Sequence, residues 1–132
     1  LIEPFIKGQE IAVGVLNGKP LGVIEIRPKN EFYDYEAKYQ STETQYIYPA
    51  ELNKAVYDGV MNTSKKISEI FECNGVVRID YIVKDNIPML LEINTLPGMT
   101  QTSLVPKMAK GIGISFEDLC EQILLSAKLH KK

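Results

Sequence analysis

The stretch LLEINTLPGM at residues 90–99 predicts a β-strand followed by a turn, but polar residues interrupt its apolar run. Side chains two positions apart on a strand share one face, so Glu92 and Asn94 point the same way. Burying them without partners would cost about 1–3 kcal/mol for each polar group, and more for a charge. We therefore expect this face to meet something polar.

The segment VVRIDYIV at residues 76–83 predicts the neighbouring strand, with Arg78 and Asp80 on one face and an apolar opposite face. A short turn centred on Asn86 would make the two strands antiparallel. The pairing then places Asp80 opposite Glu92 and Arg78 opposite Asn94, with opposed Cβ atoms about 4.5–5.5 Å apart.

Two carboxylates so placed repel each other, and two interpretations of this arrangement stay open from the residues alone. Asp80, Glu92 and Asn94 offer only oxygen ligands, which suit Mg²⁺ or Mn²⁺, and a divalent cation would turn the repulsion into attraction. Alternatively, Arg78 neutralises the carboxylates in a structural network of salt bridges.

The remaining pattern predicts an α+β fold, in which helices pack on an antiparallel sheet. Further strands are predicted at residues 1–6, 10–16, 21–26 and 46–48, with a hairpin turn at Asn17-Gly18 and an edge or bulge near Pro20 and Gly22. Helices are predicted at residues 51–72, 103–110 and from 116 onward, the first ending at Asn74-Gly75. The predicted buried helix positions are Leu52, Val56, Val60, Ile67 and Phe71, then Phe116, Leu119, Cys120, Ile123, Leu124 and Ala127.

Residues 28–48 form a polar, tyrosine-rich segment without periodicity. So long an irregular segment is uncommon in a compact domain unless it is functional or disordered, and disordered segments are poor in aromatic residues. We predict an ordered lid loop within a single unit that spans residues 1–132. A lysine on such a loop, Lys38, could neutralise a phosphate, although a solvated loop lysine is commoner.

Composition narrows the classes of function. The 132 residues are 45% hydrophobic and 24% charged with a net charge of −2, so no basic surface suggests nucleic acid or a membrane. The two cysteines are predicted to be buried, and they fit a reducing compartment. With no apolar run of membrane-spanning length and no leader, a cytoplasmic location is expected. The start at a strand-like segment without Met suggests that the chain begins inside something larger.

The turn after Asn94 leads to Ser103 and Leu104, the predicted start of a helix. The free backbone N–H groups of a helix N-terminus favour anions, including carboxylates. A serine there is also a common helix cap, which is the ordinary alternative. Glu10, on a predicted strand, could likewise bind ribose hydroxyls or merely face water.

Four segments together resemble the D-alanine–D-alanine ligase family of the ATP-grasp superfamily, in its carboxy-terminal portion. They are FYDYEAKY (32–39), RIDYIV (78–83), LLEINTLPGMTQTSLVPKMA (90–109) and GISFEDL (113–119). The resemblance implies ATP-dependent joining of two D-alanine molecules through an acyl phosphate, for peptidoglycan synthesis.

The resemblance also implies roles for individual residues. Asp80, Glu92 and Asn94 resemble the ligands of two Mg²⁺ (or Mn²⁺) ions that hold the ATP phosphates. Arg78 and the backbone N–H of Gly98 resemble the pair that stabilises the oxyanion of the tetrahedral intermediate. The other implied contacts are Ser103 and the Leu104 N–H to the second substrate's carboxylate, Lys38 to the γ-phosphate, Tyr39 as the lid latch, Glu3 and Ile6 to adenine, and Glu10 to ribose.

The family's amino-terminal domain and most of its central domain do not match any part of this sequence. We therefore expect the isolated chain to be inactive and the full-length enzyme to be a homodimer. The tyrosine-bearing lid favours a dipeptide product, because D-alanyl-D-lactate ligases generally lack it. A D-lactate-type ligase and a non-catalytic fragment that binds metal or nucleotide are the alternatives.

Overall fold

A computed structural model describes residues 2–28 and 44–127 of the chain. They form one antiparallel sheet of five strands in the order β3-β2-β1-β4-β5, with three helices. The predicted α+β class is confirmed. The elements are β1 (Gln9–Leu16), β2 (Lys19–Arg27), β3 (Gln45–Ile47), α1 (Lys54–Ile70), β4 (Val76–Lys84), β5 (Ile87–Asn94), α2 (Leu104–Gly111) and α3 (Phe116–Ser126).

The central strand β1 is buried on both faces of the sheet. Ile11 and Val13 belong to an apolar cluster with α1, whereas Ala12 belongs to a second cluster with α2 and α3. Gly14 lets α2 approach closely, because a Cβ there would lie 3.0 Å from the Met108 Cε. The sheet is therefore covered by α1 on one face and by α2 and α3 on the other.

Both β-hairpins turn through two residues with positive φ, the geometry of a type I′ turn. Asn17 and Gly18 have φ of 49° and 77°, and Asp85 and Asn86 have φ of 52° and 62°. The predicted Asn17-Gly18 hairpin is confirmed, and so is a bulge in β2, where the pairing shifts between Gly22 and Pro20.

A second bulge sets the register between β4 and β5. A two-residue turn alone would place Asp80 opposite Leu91, which would send Glu92 to the other face of the sheet. The pairing shifts by one residue just beyond Asp80, so that Leu91 has no direct partner and Glu92 lies opposite Asp80. Arg78 lies opposite Asn94. The predicted cross-strand pairs are confirmed.

Helix α1 is shorter than predicted at both ends. It begins after Asn53, whose side chain accepts a hydrogen bond of 2.9 Å from the Ala55 N–H. It ends in a Schellman motif, in which Glu72 has φ of 49° and the Cys73 N–H donates to the Ser68 carbonyl over 2.8 Å. The cap predicted at Asn74-Gly75 is wrong, because the chain leaves the helix before reaching it.

The buried row of α1 includes two serines that the periodicity did not predict. Ser64 is fully buried, and its hydroxyl lies 2.8 Å from the hydroxyl of Tyr81 on β4, so neither group is left without a hydrogen-bond partner. Burial raises the pKa of Tyr81, which keeps this phenol neutral over a wide pH range. The predicted burial of Phe71 is wrong: it follows the helix and its exposed fraction is 64%.

Helix α3 buries fewer residues than its apolar pattern predicted. Leu119 is buried and Ile123 is partly buried, because these two side chains pack on the apolar cluster that includes residues of α2. Cys120, Leu124 and Ala127 are exposed, so their predicted burial is wrong. The prediction that both cysteines are buried also fails, since Cys73 is only half-buried.

The two ends of the predicted unit differ from expectation or lie outside the description. Within residues 2–28, the first six described residues pair with no strand, and Ile2 and Phe5 are almost fully exposed. The strand predicted at residues 1–6 is thus wrong for 2–6, because a strand requires a neighbouring edge. Most of the predicted lid, residues 29–43, lies outside the described residues. Across the described ranges, no helix is both long and apolar enough to cross a membrane.

Tyr48 joins the end of β3 to β2 and α2. Its hydroxyl donates to the Leu21 carbonyl over 2.8 Å. Its ring lies against Gly22 and Gly111 so closely that a Cβ at either glycine would collide with it. The carboxy-terminal end of the predicted lid is therefore fixed to β2 and α2.

We predict that Ser64→Ala lowers the free energy of unfolding by about 1–3 kcal/mol, because the buried Tyr81 hydroxyl loses its partner. Equilibrium urea unfolding measures this change. The double variant Ser64→Ala/Tyr81→Phe should recover part of the loss, since neither polar group then remains unpaired. A double variant that loses as much as the two single variants added together would contradict a buried hydrogen bond between these residues.

Candidate active site

Four polar side chains lie side by side on β4 and β5, on the sheet face that α2 and α3 cover elsewhere. Asp80 pairs with Ala12 on one side and Glu92 on the other, while Arg78 lies between Gly14 and Asn94. The exposed side-chain fractions are 21% for Arg78, 17% for Asp80 and 62% for Glu92. The two side chains on β4 are therefore largely shielded from solvent, whereas Glu92 on β5 is exposed.

Arg78 forms a two-pronged ion pair with Asp80. Its Nε lies 2.8 and 3.1 Å from the two carboxylate oxygens, and its Nη2 lies 2.8 Å from Oδ2. The Glu92 carboxylate is farther away, with 3.7 Å between Oε1 and Nη2. The hydrogen bonds that Arg78 donates to the Asp80 carboxylate raise the pKa of Arg78, so the guanidinium stays charged.

The donor set fits a hard divalent cation that completes its coordination from outside the protein. In the described part of the chain, no three His, Cys, Asp or Glu side chains gather as a metal site. The oxygen ligands on this face are the carboxylates of Asp80 and Glu92 and the amide oxygen of Asn94. Mg²⁺ is commonly held by one or two carboxylates, with waters and substrate phosphates as its other ligands. The residues fit such an ion, although Asp80 is engaged with Arg78.

Asn94 also has a local structural role. Its Oδ1 accepts a hydrogen bond of 3.0 Å from the Leu96 N–H, which stabilises the turn that follows β5. An amide oxygen has two lone pairs, so this bond leaves one for a further contact. The turn and the polar group are thus joined through one side chain.

The turn brings Gly98 next to the start of α2. A Cβ at Gly98 would lie 3.2 Å from the Ser103 Oγ, so the glycine allows a close approach. Ser103 occupies the N-cap position, but its side chain makes no capping bond to this helix. The first-turn N–H groups of Leu104 and Val105 are therefore not capped by the Ser103 hydroxyl. Capping, the ordinary role of a serine at this position, is thus not its role here.

Three predicted nucleotide contacts line one open cleft of about 1280 Å³ at the end of the sheet: Glu3, Ile6 and Glu10. Ile82 and Leu91 line the same cleft. Ile82 pairs with Glu10 and lies two residues along β4 from Asp80, on the same face. The cleft therefore adjoins the polar group. Lys38 and Tyr39 lie outside the described residues.

Thr100 is not among the predicted site residues. The Thr100 Oγ1 lies 2.8 Å from the Ser103 Oγ, and the Thr100 N–H donates to the same oxygen over 3.1 Å. The spacing of two hydroxyl residues three apart before a helix was the available signal. It was weak, because such spacing is common at helix starts.

Most of the chain matches a known protein family. The family model described as "D-ala D-ala ligase C-terminus" matches residues 1–125. The D-alanine–D-alanine ligase of Anaeromyxobacter sp. (strain K) is 53% identical over 130 residues, which are 98% of this chain and 42% of that protein. The chain thus spans less than half the length of the curated relatives it matches.

Solved structures share the fold. The D-alanine–D-alanine ligase from Bacillus anthracis complexed with ATP is 40% identical, with a TM-score of 0.77 over 92% of this chain and 40% of that one. The VanG D-Ala:D-Ser ligase from Enterococcus faecalis is 28% identical, with a TM-score of 0.74 over 91% of this chain and 36% of that one.

The two carboxylates should respond differently to neutralisation. Without added metal, Asp80→Asn should lower the free energy of unfolding by about 1–3 kcal/mol, because the nearly buried Arg78 loses its anionic partner. Glu92→Gln should change it by less than about 0.5 kcal/mol, since an exposed carboxylate at this distance contributes little. Urea unfolding with and without excess MgCl₂ measures both effects.

Asp58→Asn, on the exposed side of α1, is the matched control. If the site binds a cation, Mg²⁺ should stabilise the unaltered protein and the Asp58 variant, and stabilise both site variants less. If Mg²⁺ changed the stability of none of the four proteins while Asp80→Asn remained the least stable, the purely structural network would be favoured.

Proposed function

Because the chain belongs to the family of D-alanine–D-alanine ligase carboxy-terminal domains, we propose that the full-length protein joins two D-alanine molecules at the expense of ATP. The observation that carries the proposal is the placement of Asp80 opposite Glu92, beside Arg78 and Asn94. Folding alone does not require two opposed carboxylates, whereas the divalent cations of a bound nucleotide are commonly held by one or two carboxylates. The ATP complex of the Bacillus anthracis ligase supports the choice of nucleotide.

Asp80, Glu92 and Asn94 would hold two Mg²⁺ ions, or Mn²⁺, against the ATP phosphates. The ions, when bound, supply positive charge that offsets the charge developing on the transferred phosphoryl group. The chain's own contribution is geometric. The β4–β5 register fixes the two carboxylates across from each other, and the Arg78 pair holds Asp80 in one orientation.

The activated carboxyl group of the first D-alanine and the amine of the second would meet between β4 and the start of α2. Arg78, with the Gly98 N–H, would stabilise the oxyanion that forms when the amine adds to the activated carboxyl group. The Ser103 hydroxyl and the Leu104 N–H would bind the carboxylate of the acceptor D-alanine. The lack of a Ser103 side-chain cap supports this role, because the hydroxyl is not spent on the helix.

The cleft at the end of the sheet would bind the nucleoside. Glu3 and the Ile6 backbone would contact adenine, and Glu10 would bind the ribose hydroxyls. The common lining of the cleft by all three residues supports this assignment. Within the lid proposed at residues 28–48, Lys38 would reach the γ-phosphate and Tyr39 would latch the closed lid, which would shield the acyl phosphate from water.

The chain supplies only part of such an enzyme, since it spans 42% of the length of the relative from Anaeromyxobacter. We propose that residues 1–132 are the carboxy-terminal part of the ligase and have no ligase activity alone. The family resemblance extends the proposal to a cytoplasmic homodimer that makes a peptidoglycan precursor.

The test restores the upstream chain and follows ADP release and dipeptide formation with D-alanine. Release should require D-alanine and yield D-alanyl-D-alanine, and Asp80→Asn and Glu92→Gln should each lower kcat at least about a hundredfold, because each removes a ligand charge. Glu121→Gln, exposed on α3, is the matched control and should keep full activity.

Two results would contradict parts of the proposal. Full activity in both site variants would make the opposed carboxylates structural and remove them from the ATP site. ADP release that needs D-alanine together with D-serine or D-lactate would keep the ligase chemistry and replace the acceptor. The fold shared with the D-Ala:D-Ser ligase from Enterococcus faecalis is the reason to include D-serine.

A further inference from the structure

The segment between the turn at Leu96-Pro97-Gly98 and α2 holds three hydroxyl groups in one chain of hydrogen bonds. The Thr102 Oγ1 lies 3.2 Å from the Thr100 Oγ1, which lies 2.8 Å from the Ser103 Oγ. The Thr100 N–H donates to the Ser103 Oγ over 3.1 Å, and the Ser103 N–H donates to the Thr100 carbonyl over 2.9 Å. Thr100 therefore contacts Ser103 through its backbone and its side chain.

The number of bonds that one hydroxyl can make limits what Ser103 can do. A hydroxyl has one proton to donate and two lone pairs that accept. The Thr100 N–H occupies one lone pair of the Ser103 oxygen. The bond between the two hydroxyls then has two possible directions, and each leaves Ser103 with a different remaining capacity.

If Ser103 donated to Thr100, it would have no proton left for a substrate. If Thr100 donates to Ser103, both Ser103 lone pairs are filled and its proton is free to point outward. A carboxylate can only accept hydrogen bonds, so it binds the second arrangement. Thr102 can donate to Thr100 in turn, and successive bonds of this kind strengthen one another.

We infer that Thr100 is a positioning residue that turns the Ser103 hydroxyl proton toward the carboxylate of the acceptor substrate. The inference rests on the proposed function and deepens it, since it gives one residue a part in choosing an acceptor that carries a carboxylate. The same bonds engage the Ser103 oxygen, which makes no capping bond to α2.

The test compares two acceptors in the full-length ligase: D-alanine, and D-alaninamide, which keeps the attacking amine and lacks the carboxylate. Thr100→Val retains the side-chain shape and the Thr100 N–H but removes the hydroxyl. It should reduce the preference for D-alanine over D-alaninamide about tenfold, the effect of weakening one hydrogen bond to a charged group. The KM for ATP should stay unchanged.

Two further variants separate positioning from a general structural effect. Thr100→Ser restores the hydroxyl and should return the acceptor preference to within about twofold of the unaltered enzyme. Thr63→Val, exposed on α1, makes the same chemical change away from the site and should alter nothing.

The outcomes distinguish this inference from the proposed function. An unaltered enzyme that makes no D-alanyl-D-alanine overturns the function, and the inference with it. An active enzyme whose acceptor preference survives Thr100→Val overturns the inference alone. A Thr100→Ser variant as impaired as Thr100→Val would also overturn it. So would a Thr100→Val variant that loses activity equally with both acceptors and has a raised KM for ATP.

Discussion

The register between β4 and β5 is the constraint on which the candidate site depends. Side chains alternate on a strand, so a slip of one residue would turn Glu92 and Asn94 toward α1 and the apolar cluster. The unpaired residue Leu91 prevents this, because it adds one position to β5 between the turn and Glu92. A bulge near a functional site is a common device for directing a side chain. Here it brings two side chains of an edge strand beside two of its neighbour.

The two faces of the sheet divide the work of folding from the proposed chemistry. Along β1 and β4 the α1 face is largely apolar, and the buried Tyr81 hydroxyl of β4 pairs with the Ser64 hydroxyl of α1. The other face is apolar only beneath α2 and α3, and beyond them it carries Arg78 and Asp80. The side chains there are not enclosed in the core, so charged groups can lie where a substrate could reach them.

Helix α2 links the separate parts of the candidate site. Gly14 and Met108 bring its middle onto the central strand, and Tyr48 packs against Gly111 at its end. Its first residues follow directly from the turn after β5, which Asn94 stabilises. The position of Ser103 relative to the polar group thus depends on packing at both ends of the segment.

The sequence by itself determined strands β1, β2, β4 and β5, both tight turns, and the faces that Arg78 shares with Asp80 and Glu92 shares with Asn94. These follow from local rules, namely the two-residue period of a strand and the left-handed conformations that Asn and Gly adopt readily. That the two pairs lie on one common face depends on the bulge at Leu91. The four motifs also identified the family. Local rules overestimated the apolar faces of α1 and α3, because periodicity describes a helix and not the surface offered to it.

Only the tertiary structure decided which of these residues bond to one another. Arg78 could have paired with either carboxylate, and distance assigns it to Asp80. Ser103 could have capped α2, and the fold of the preceding turn gives its hydroxyl to Thr100 instead. Both bonds join residues only two or three positions apart, but the backbone and side-chain conformations that select them are set by the surrounding fold, and no periodicity in the sequence records them.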